Sequence, residues 1–162
     1  MKKIFAVCWL AWGCAASANP NWLTIVGDPL NPAVAIIQID LNAAIVASDQ
    51  RTMFVRVSRP QERTSNDGVI FRSYHANVLF DCSQKSARFV SVDFYEQALW
   101  QGKPHKSMTY GPTQIRPLVF RFFEPNPLEK LVRAACPNAN ASGSGTGTGN
   151  GNGNGNGNAV KN

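Results

Sequence analysis

The sequence is poor in the residues that build catalytic and metal sites. It has two histidines, His75 and His105, and four cysteines among 162 residues. No serine lies in a nucleophile-elbow motif, and the Gly-Lys-Pro at residues 102–104 is not a phosphate-binding loop. Two histidines with Lys106 could support acid–base cleavage of a phosphodiester, but nothing in their spacing brings them together. The sequence therefore predicts a non-enzymatic protein with no cofactor and no metal.

The chain also lacks a hydrophobic run long enough to span a bilayer, which needs about 20 residues. The apolar stretch at residues 4–14 follows a basic start and precedes the small residues at 16–18, where a signal peptidase cleaves. We expect residues 1–18 to be a signal peptide and the mature chain to begin at Asn19. Lipidation of Cys14 is the alternative, but Trp12 does not fit a lipoprotein signal. The protein is expected to be exported, in the periplasm, at the cell surface or secreted.

Removal of that leader leaves two cysteines, Cys82 and Cys136. In an oxidising compartment such a pair predicts one disulfide bond. Two isolated cysteines without nearby histidines do not favour a metal site. The closed loop of about 54 residues corresponds to roughly 4 kcal/mol of stabilisation in the chain-entropy model.

Acidic residues are scarce, with 10 Asp and Glu against 16 Lys and Arg, so the formal net charge is +6. Without Lys2 and Lys3, 14 basic residues face 10 acidic ones and the charge is +4. This balance favours acidic partners, but it is far from the dense basic face of a dedicated nucleic-acid binder. Nucleic acid is therefore an improbable partner, and a protein or glycan ligand is expected.

One stretch concentrates the positive charge and is the expected contact surface. Its five arginines are Arg51, Arg56, Arg59, Arg63 and Arg72. A positive patch of this kind can bind matrix glycoproteins, glycans or DNA by charge, and the alternative is a solvated face that keeps a small domain soluble. Trp100 and Tyr110 flank a Gly/Pro-rich connection and are further candidates, either as the lip of a binding site or as caps of the core.

Large side chains are missing from the C-terminal end. Residues 138–158 are only Asn, Ala, Ser, Gly and Thr, and they cannot bury enough apolar area to offset the entropy of ordering. We expect residues 138–162 to be a disordered Gly/Asn-rich tail and residues 19–137 to form one domain.

The hydrophobic pattern of that domain is mostly that of β-strands. Apolar or alternating runs predict strands near residues 22–26, 33–40, 53–57, 69–82, 87–95 and 115–123, with a polar loop at 60–68. Asp81 and Arg88, on either side of one turn, are expected to form a structural ion pair.

The pattern changes to helical spacing near the second cysteine. Leu128, Leu131, Val132 and Ala135 fall on one face of a helix that begins at Asn126-Pro127. The prediction is an α+β fold, in which an antiparallel meander of about five to six strands is packed by a C-terminal helix and held by one disulfide.

Several features of the sequence occur together in one family. They are Trp22, Ile39-Asp40, the alternating strand at 54–57, the aromatic-Asp-Cys motif at 80–82, Arg88, and the Pro-led helix ending at Cys136. Over residues 21–136 the chain resembles the surface-adhesin protein E family of secreted bacterial domains. The resemblance implies an antiparallel sheet with a C-terminal helix. Since named members bind host matrix and serum proteins, it also implies a binding domain for host matrix or envelope partners.

Two other functions remain open from the residues alone. One is a small periplasmic hydrolase or nuclease, and the other is a structural subunit of an envelope assembly. The chain departs from the family in its Gly-Asn tail and in lacking a convincing lipidation site. The ligand's identity and the oligomeric state are open.

Overall fold

The computed structural model describes residues 19–121 and 123–137. The expected signal peptide at 1–18 and the expected tail at 138–162 lie outside these residues. The described elements are β1 (Trp22–Val26), β2 (Ile36–Asp40), β3 (Ala44–Ala47), β4 (Gln50–Thr64), β5 (Ile70–Asp81), β6 (Ser86–Tyr95), a 3-10 turn (Ala98–Trp100), β7 (Lys106–Thr109) and α1 (Leu128–Ala135). None of the described helices is long and apolar enough to cross a membrane.

The strands form one antiparallel sheet with the order β1-β2-β4-β5-β6-β7, and β3 pairs with the first part of β4. The predicted antiparallel sheet and C-terminal helix are confirmed, although the sheet has seven strands rather than five to six. The two additional strands, β3 and β7, are four residues each and mostly exposed. They bury too little for an apolar alternation to mark them.

Two predicted boundaries are wrong. Strand β4 continues to Thr64 through the segment expected to be a loop, with a shift in register between Ser58 and Arg63. Because Pro60 lies within that irregular part, its missing N–H group removes no regular ladder bond. Strand β2 begins at Ile36, three residues later than expected.

Residues 115–123 were expected to be a strand, and the described part of this segment contains none. It touches the sheet through one bridge, between Arg88 and Pro117. The backbone amides of Phe89 and Leu118 donate to Arg116 and Ala87 at 2.8 and 2.9 Å. The apolar residues of the segment pack onto the sheet instead of pairing along it.

The core lies between one face of the sheet and this C-terminal segment with its helix. Alternate residues of the central strands supply one side, and the segment supplies the other; the buried members include Val55, Val57, Ala76, Val78, Phe80, Leu118, Phe120, Phe123, Leu131 and Val132. The strands with the period-2 pattern and the segment that ends in the helix therefore face each other across a single core.

The helix and the disulfide close the core as predicted. Helix α1 begins at Leu128, whose backbone N–H donates to Asn126 Oδ1 at 3.0 Å. Cys82 and Cys136 are bonded, with their Cα atoms 5.6 Å apart. Arg51 Nη1 donates to the carbonyl oxygen of Ala135 at 2.6 Å and holds the same end of the helix.

The expected ion pair between Asp81 and Arg88 is wrong. The carboxylate of Asp81 accepts hydrogen bonds from the Gln84 backbone N–H at 2.8 Å and the Ser83 hydroxyl at 2.7 Å. These bonds lower the pKa of Asp81. The turn after β5 is thus closed by local donors, which need no charged partner across it.

Candidate binding site

A cavity of about 270 Å³ opens between the sheet and the C-terminal segment. Its inner wall consists of five aromatic side chains: Phe71, Tyr74, Phe89, Phe94 and Tyr110. Four arginines and one carboxylate also line it, and we call Arg59, Arg63, Arg116 and Arg121 the arginine ring. Buried aromatics inside and charged groups at the entrance give the cavity an apolar interior and a polar mouth.

The aromatic wall is built by strand pairing. Tyr74 of β5 and Phe94 of β6 are directly opposite each other in the sheet. Phe71 packs against both, with ring centroids 5.6 Å from Tyr74 and 5.2 Å from Phe94. Phe89 adds an edge-to-face contact with Tyr74 at 5.9 Å. Because each ring contacts another, the wall is formed before any ligand arrives.

Arg59 is the most deeply placed member of the arginine ring. Its guanidinium carbon lies 3.8 Å from the centroid of the Phe123 ring, and Nη2 donates to the Arg121 carbonyl oxygen at 3.4 Å. Its Nε is buried and has no hydrogen-bond partner in the described structure. Burial lowers the pKa of Arg59, and the nearby Tyr74 opposes that shift. A charged donor is therefore desolvated at the cavity with one N–H unused.

The single carboxylate of the lining is Asp67, and it is already occupied. Arg116 Nη2 donates to Asp67 Oδ1 at 2.6 Å, and the Tyr110 hydroxyl donates to Oδ2 at 2.8 Å. Burial and that hydrogen bond raise the pKa of Tyr110 to about 12, so its phenol stays protonated at neutral pH. One carboxylate against four arginines leaves a positive potential at the mouth.

The structure brings together three of the residues that the sequence singled out. Arg59, Arg63 and Tyr110 line the cavity. Arg51 lies at the end of α1, and Arg72 Nη2 donates to the Pro60 carbonyl oxygen at 2.8 Å. These two arginines brace the backbone outside the lining.

Trp100 lies apart from Tyr110, beside a different arginine. The guanidinium carbon of Arg56 is 4.0 Å from the Trp22 centroid and 4.1 Å from the Trp100 centroid, so the cation lies between two indole rings. Arg56 Nε also donates to Gln38 Oε1 at 2.7 Å. The indole N–H of Trp100 donates to the Tyr74 carbonyl oxygen at 2.9 Å. This arrangement matches the capping alternative for Trp100, since the ring and its N–H are both engaged.

The two histidines have separate surroundings. His75 stacks on Phe54 with centroids 4.9 Å apart and contacts the edge of Trp22, and burial lowers its pKa. His105 borders a shallow depression with Lys106 and Glu62. Among the residues that the structure describes, no three His, Cys, Asp or Glu side chains are grouped to hold a metal ion.

Sequence reasoning missed Arg116, Arg121, Asp67 and most of the aromatic wall. The two arginines flank a short apolar run, and that run was interpreted as an ordinary strand. The sequence did contain a signal: Arg116 and Arg121 lie on either side of the buried residues Leu118 and Phe120. This spacing keeps the two arginine charges at the surface where the segment crosses the sheet.

The described residues form an antiparallel sheet closed by a disulfide-bonded helix, with a basic mouth over an aromatic cavity. The family model of surface-adhesin protein E matches residues 22–137, and the chain belongs to that family. Membership makes it an adhesin-like surface protein and implies an exported or surface location. No curated protein and no solved structure matches the chain.

Proposed function

We propose that this protein is a non-enzymatic adhesin domain that binds an acidic surface of a host matrix or envelope partner through its arginine ring. The observation that carries the proposal is the gathering of four arginines and one carboxylate around one opening. The ring includes only two of the five arginines expected from the sequence to form the contact surface, Arg59 and Arg63. The other three are engaged elsewhere. Arg51 bonds the end of α1, Arg56 lies between the two indole rings, and Arg72 bonds the irregular part of β4.

The charges of the ring are placed to act on a partner in solution. Arg63 and Arg121 are exposed, and the side chain of Arg116 is 49% exposed even though it pairs with Asp67. Exposed charges act over about 8 Å at physiological ionic strength. Binding should therefore weaken as salt rises, mainly through slower association rather than faster release.

The two alternatives make different demands on the molecule. A hydrolase or nuclease would require acid–base groups in one cleft, and the described neighbours of His75 and His105 are not shared. An envelope subunit would co-purify with envelope proteins at stoichiometric ratio, whereas an adhesin would bind immobilised matrix proteins as an isolated chain. Affinity purification from an envelope extract separates these outcomes.

The experiment reverses two exposed charges of the ring. Arg63→Glu combined with Arg121→Glu is compared with Lys130→Glu combined with Arg133→Glu, which changes the net charge equally on the exposed face of α1. Binding to an array of immobilised matrix glycoproteins, with heparin as polyanion reference, is measured by biolayer interferometry. We expect the ring variant to weaken binding by roughly five- to tenfold and the helix variant by less than about twofold.

Melting temperatures show whether either variant has lost its fold. An equal loss in both variants would mean that only net charge matters. Unchanged binding in the ring variant and at high salt would refute the ring as the contact surface.

A further inference from the structure

We propose that the cavity behind the arginine ring is a specific site for a small aromatic carboxylate, a ligand of one or two fused rings bearing a single carboxylate. This function is separate from the binding of a macromolecular partner and does not depend on it. The inference rests on the interior of the cavity, on its volume and on the arginine ring at its mouth.

The interior selects for an apolar, flat ligand. The buried part of the lining is formed by the rings of Phe71, Tyr74 and Phe94 together with Val92. The Tyr110 hydroxyl is bonded to Asp67, so it offers no free donor to a polar ligand body. Aromatic ligands gain from edge and offset contacts with such walls in addition to the area that they bury.

The volume limits the ligand's size. A cavity of about 270 Å³ is just below the range of roughly 300 to 1,000 Å³ that holds drug-sized molecules. One or two rings with a short substituent fit that space, and a folded segment of another protein does not. The site is therefore suited to a small molecule.

The mouth selects for one negative charge. Arg59 lines the cavity with a buried Nε that lacks a hydrogen-bond partner in the described structure. That Nε has almost no accessible surface, so a ligand's carboxylate would instead meet the guanidinium groups that border the opening and form charge-assisted hydrogen bonds with them. Asp67, in the same lining, already pairs with Arg116, so the excess positive charge comes from the other three arginines of the ring. A neutral ligand would form no charge-assisted hydrogen bond with the ring.

The test uses 2-naphthoate and its neutral analogue 2-naphthalenemethanol, titrated into the full chain by calorimetry and by ¹H–¹⁵N NMR. The carboxylate should bind about tenfold or more tightly than the alcohol, since one charge-assisted hydrogen bond separates them. Its affinity should fall with added salt. The amide shifts should centre on the strands that carry Phe71 and Phe94.

Two substitutions on the C-terminal segment locate the site. Val119 lines the cavity and is 51% exposed, so Val119→Trp should fill the mouth without altering the core or any charge. Ile115 is 67% exposed and does not line the cavity, so Ile115→Trp is the matched control. Naphthoate affinity should fall by about tenfold or more in the first variant and stay within about twofold in the second.

A third variant tests the guanidinium of Arg59. Arg59→Lys keeps the positive charge but removes the planar guanidinium, and it should weaken naphthoate about fivefold while leaving the alcohol unchanged. Equal affinity for the two probes, or no measurable naphthoate binding, overturns the proposal. So does naphthoate binding that survives Val119→Trp or is lost equally in Ile115→Trp.

The outcomes separate this site from the proposed adhesin function. Val119→Trp preserves every charge of the arginine ring, so binding to matrix glycoproteins or heparin should persist when naphthoate binding is lost. Failure of the matrix array with naphthoate binding intact would refute the adhesin proposal alone.

Discussion

Removing the disulfide is the perturbation whose size can be worked out most directly. Cys82 directly follows β5, and Cys136 directly follows α1. The bond closes 54 residues, a loop that contains β6, β7 and the whole C-terminal segment over the cavity. The change is Cys82→Ala combined with Cys136→Ala, which leaves no unpaired thiol in the domain.

The loss follows from the length of the loop. A closed loop of 54 residues corresponds to about 4 kcal/mol of denatured-state entropy at 25 °C. For a domain of about 120 residues the unfolding entropy is about 0.25 kcal/mol per degree, so the melting temperature should fall by roughly 15 °C. Arg51 and the buried face of α1 still hold the helix, so the variant should fold at low temperature.

The assay is thermal unfolding followed by circular dichroism, with and without reductant. The reduced wild type and the double variant should melt within about 3 °C of each other, and reductant should not affect the variant. A fall of less than about 5 °C would show that the denatured chain is already constrained across this loop and would refute the entropy argument. A much larger fall in the variant than in the reduced protein would point to lost packing at Cys136 instead.

Two further perturbations concern a turn and a phenol. Gly27 and Gly68 have nearly the same φ, +80° and +78°, but a Cβ at Gly27 would lie 2.2 Å from the Ala35 carbonyl oxygen, whereas one at Gly68 meets nothing within 4 Å. Gly68→Ala should cost about 1 kcal/mol in urea unfolding and Gly27→Ala at least about twice that; equal costs would mean that the turn after β1 shifts freely. The pKa of Tyr110 is raised to about 12, and the pKa of an unfolded tyrosine is near 10. Its contribution to stability is therefore complete below pH 10 and lost as the pH rises towards 12. Tyr110→Phe should make stability fall less steeply between those values, although Tyr74 and Tyr95, whose pKa values are also raised, still contribute to the fall. Absorbance at 295 nm should show one late-titrating phenol fewer.

The parts of the fold that could be predicted are those with a local cause. Alternation in β5 and β6 and helical spacing in α1 follow from which face of each element is buried, and the structure shows those faces in contact. The disulfide followed from the two cysteines left after the expected signal peptide, together with the oxidising compartment that such a signal implies. Strands β3 and β7 could not be predicted, because exposed residues at the edge of a sheet carry no burial pattern.

The candidate site was harder to predict because the role of an arginine depends on what folds against it. Arg56, Arg59 and Arg63 lie within eight positions of the sequence and look alike as a basic stretch. Arg56 is held between two indole rings contributed by residues far away in the chain, whereas Arg59 and Arg63 line the cavity. Charge density in a sequence cannot distinguish these roles, since the partners arrive through long-range packing.

The wrong prediction for residues 115–123 and the missed cavity have the same physical origin. A strand there would have continued the hydrogen-bonded ladder along its neighbour, with its side chains alternating between the two faces of the sheet. Pro117 has no N–H to donate, and in the described structure the backbone bonds beside it run from the Phe89 N–H to the Arg116 carbonyl and from the Leu118 N–H to the Ala87 carbonyl. Beyond that short contact the described part of the segment does not pair with the sheet. It crosses over the sheet, and Val119 and Arg121 line the cavity. The gap that remains beneath this unpaired segment is the space in which the aromatic wall and the arginine ring meet.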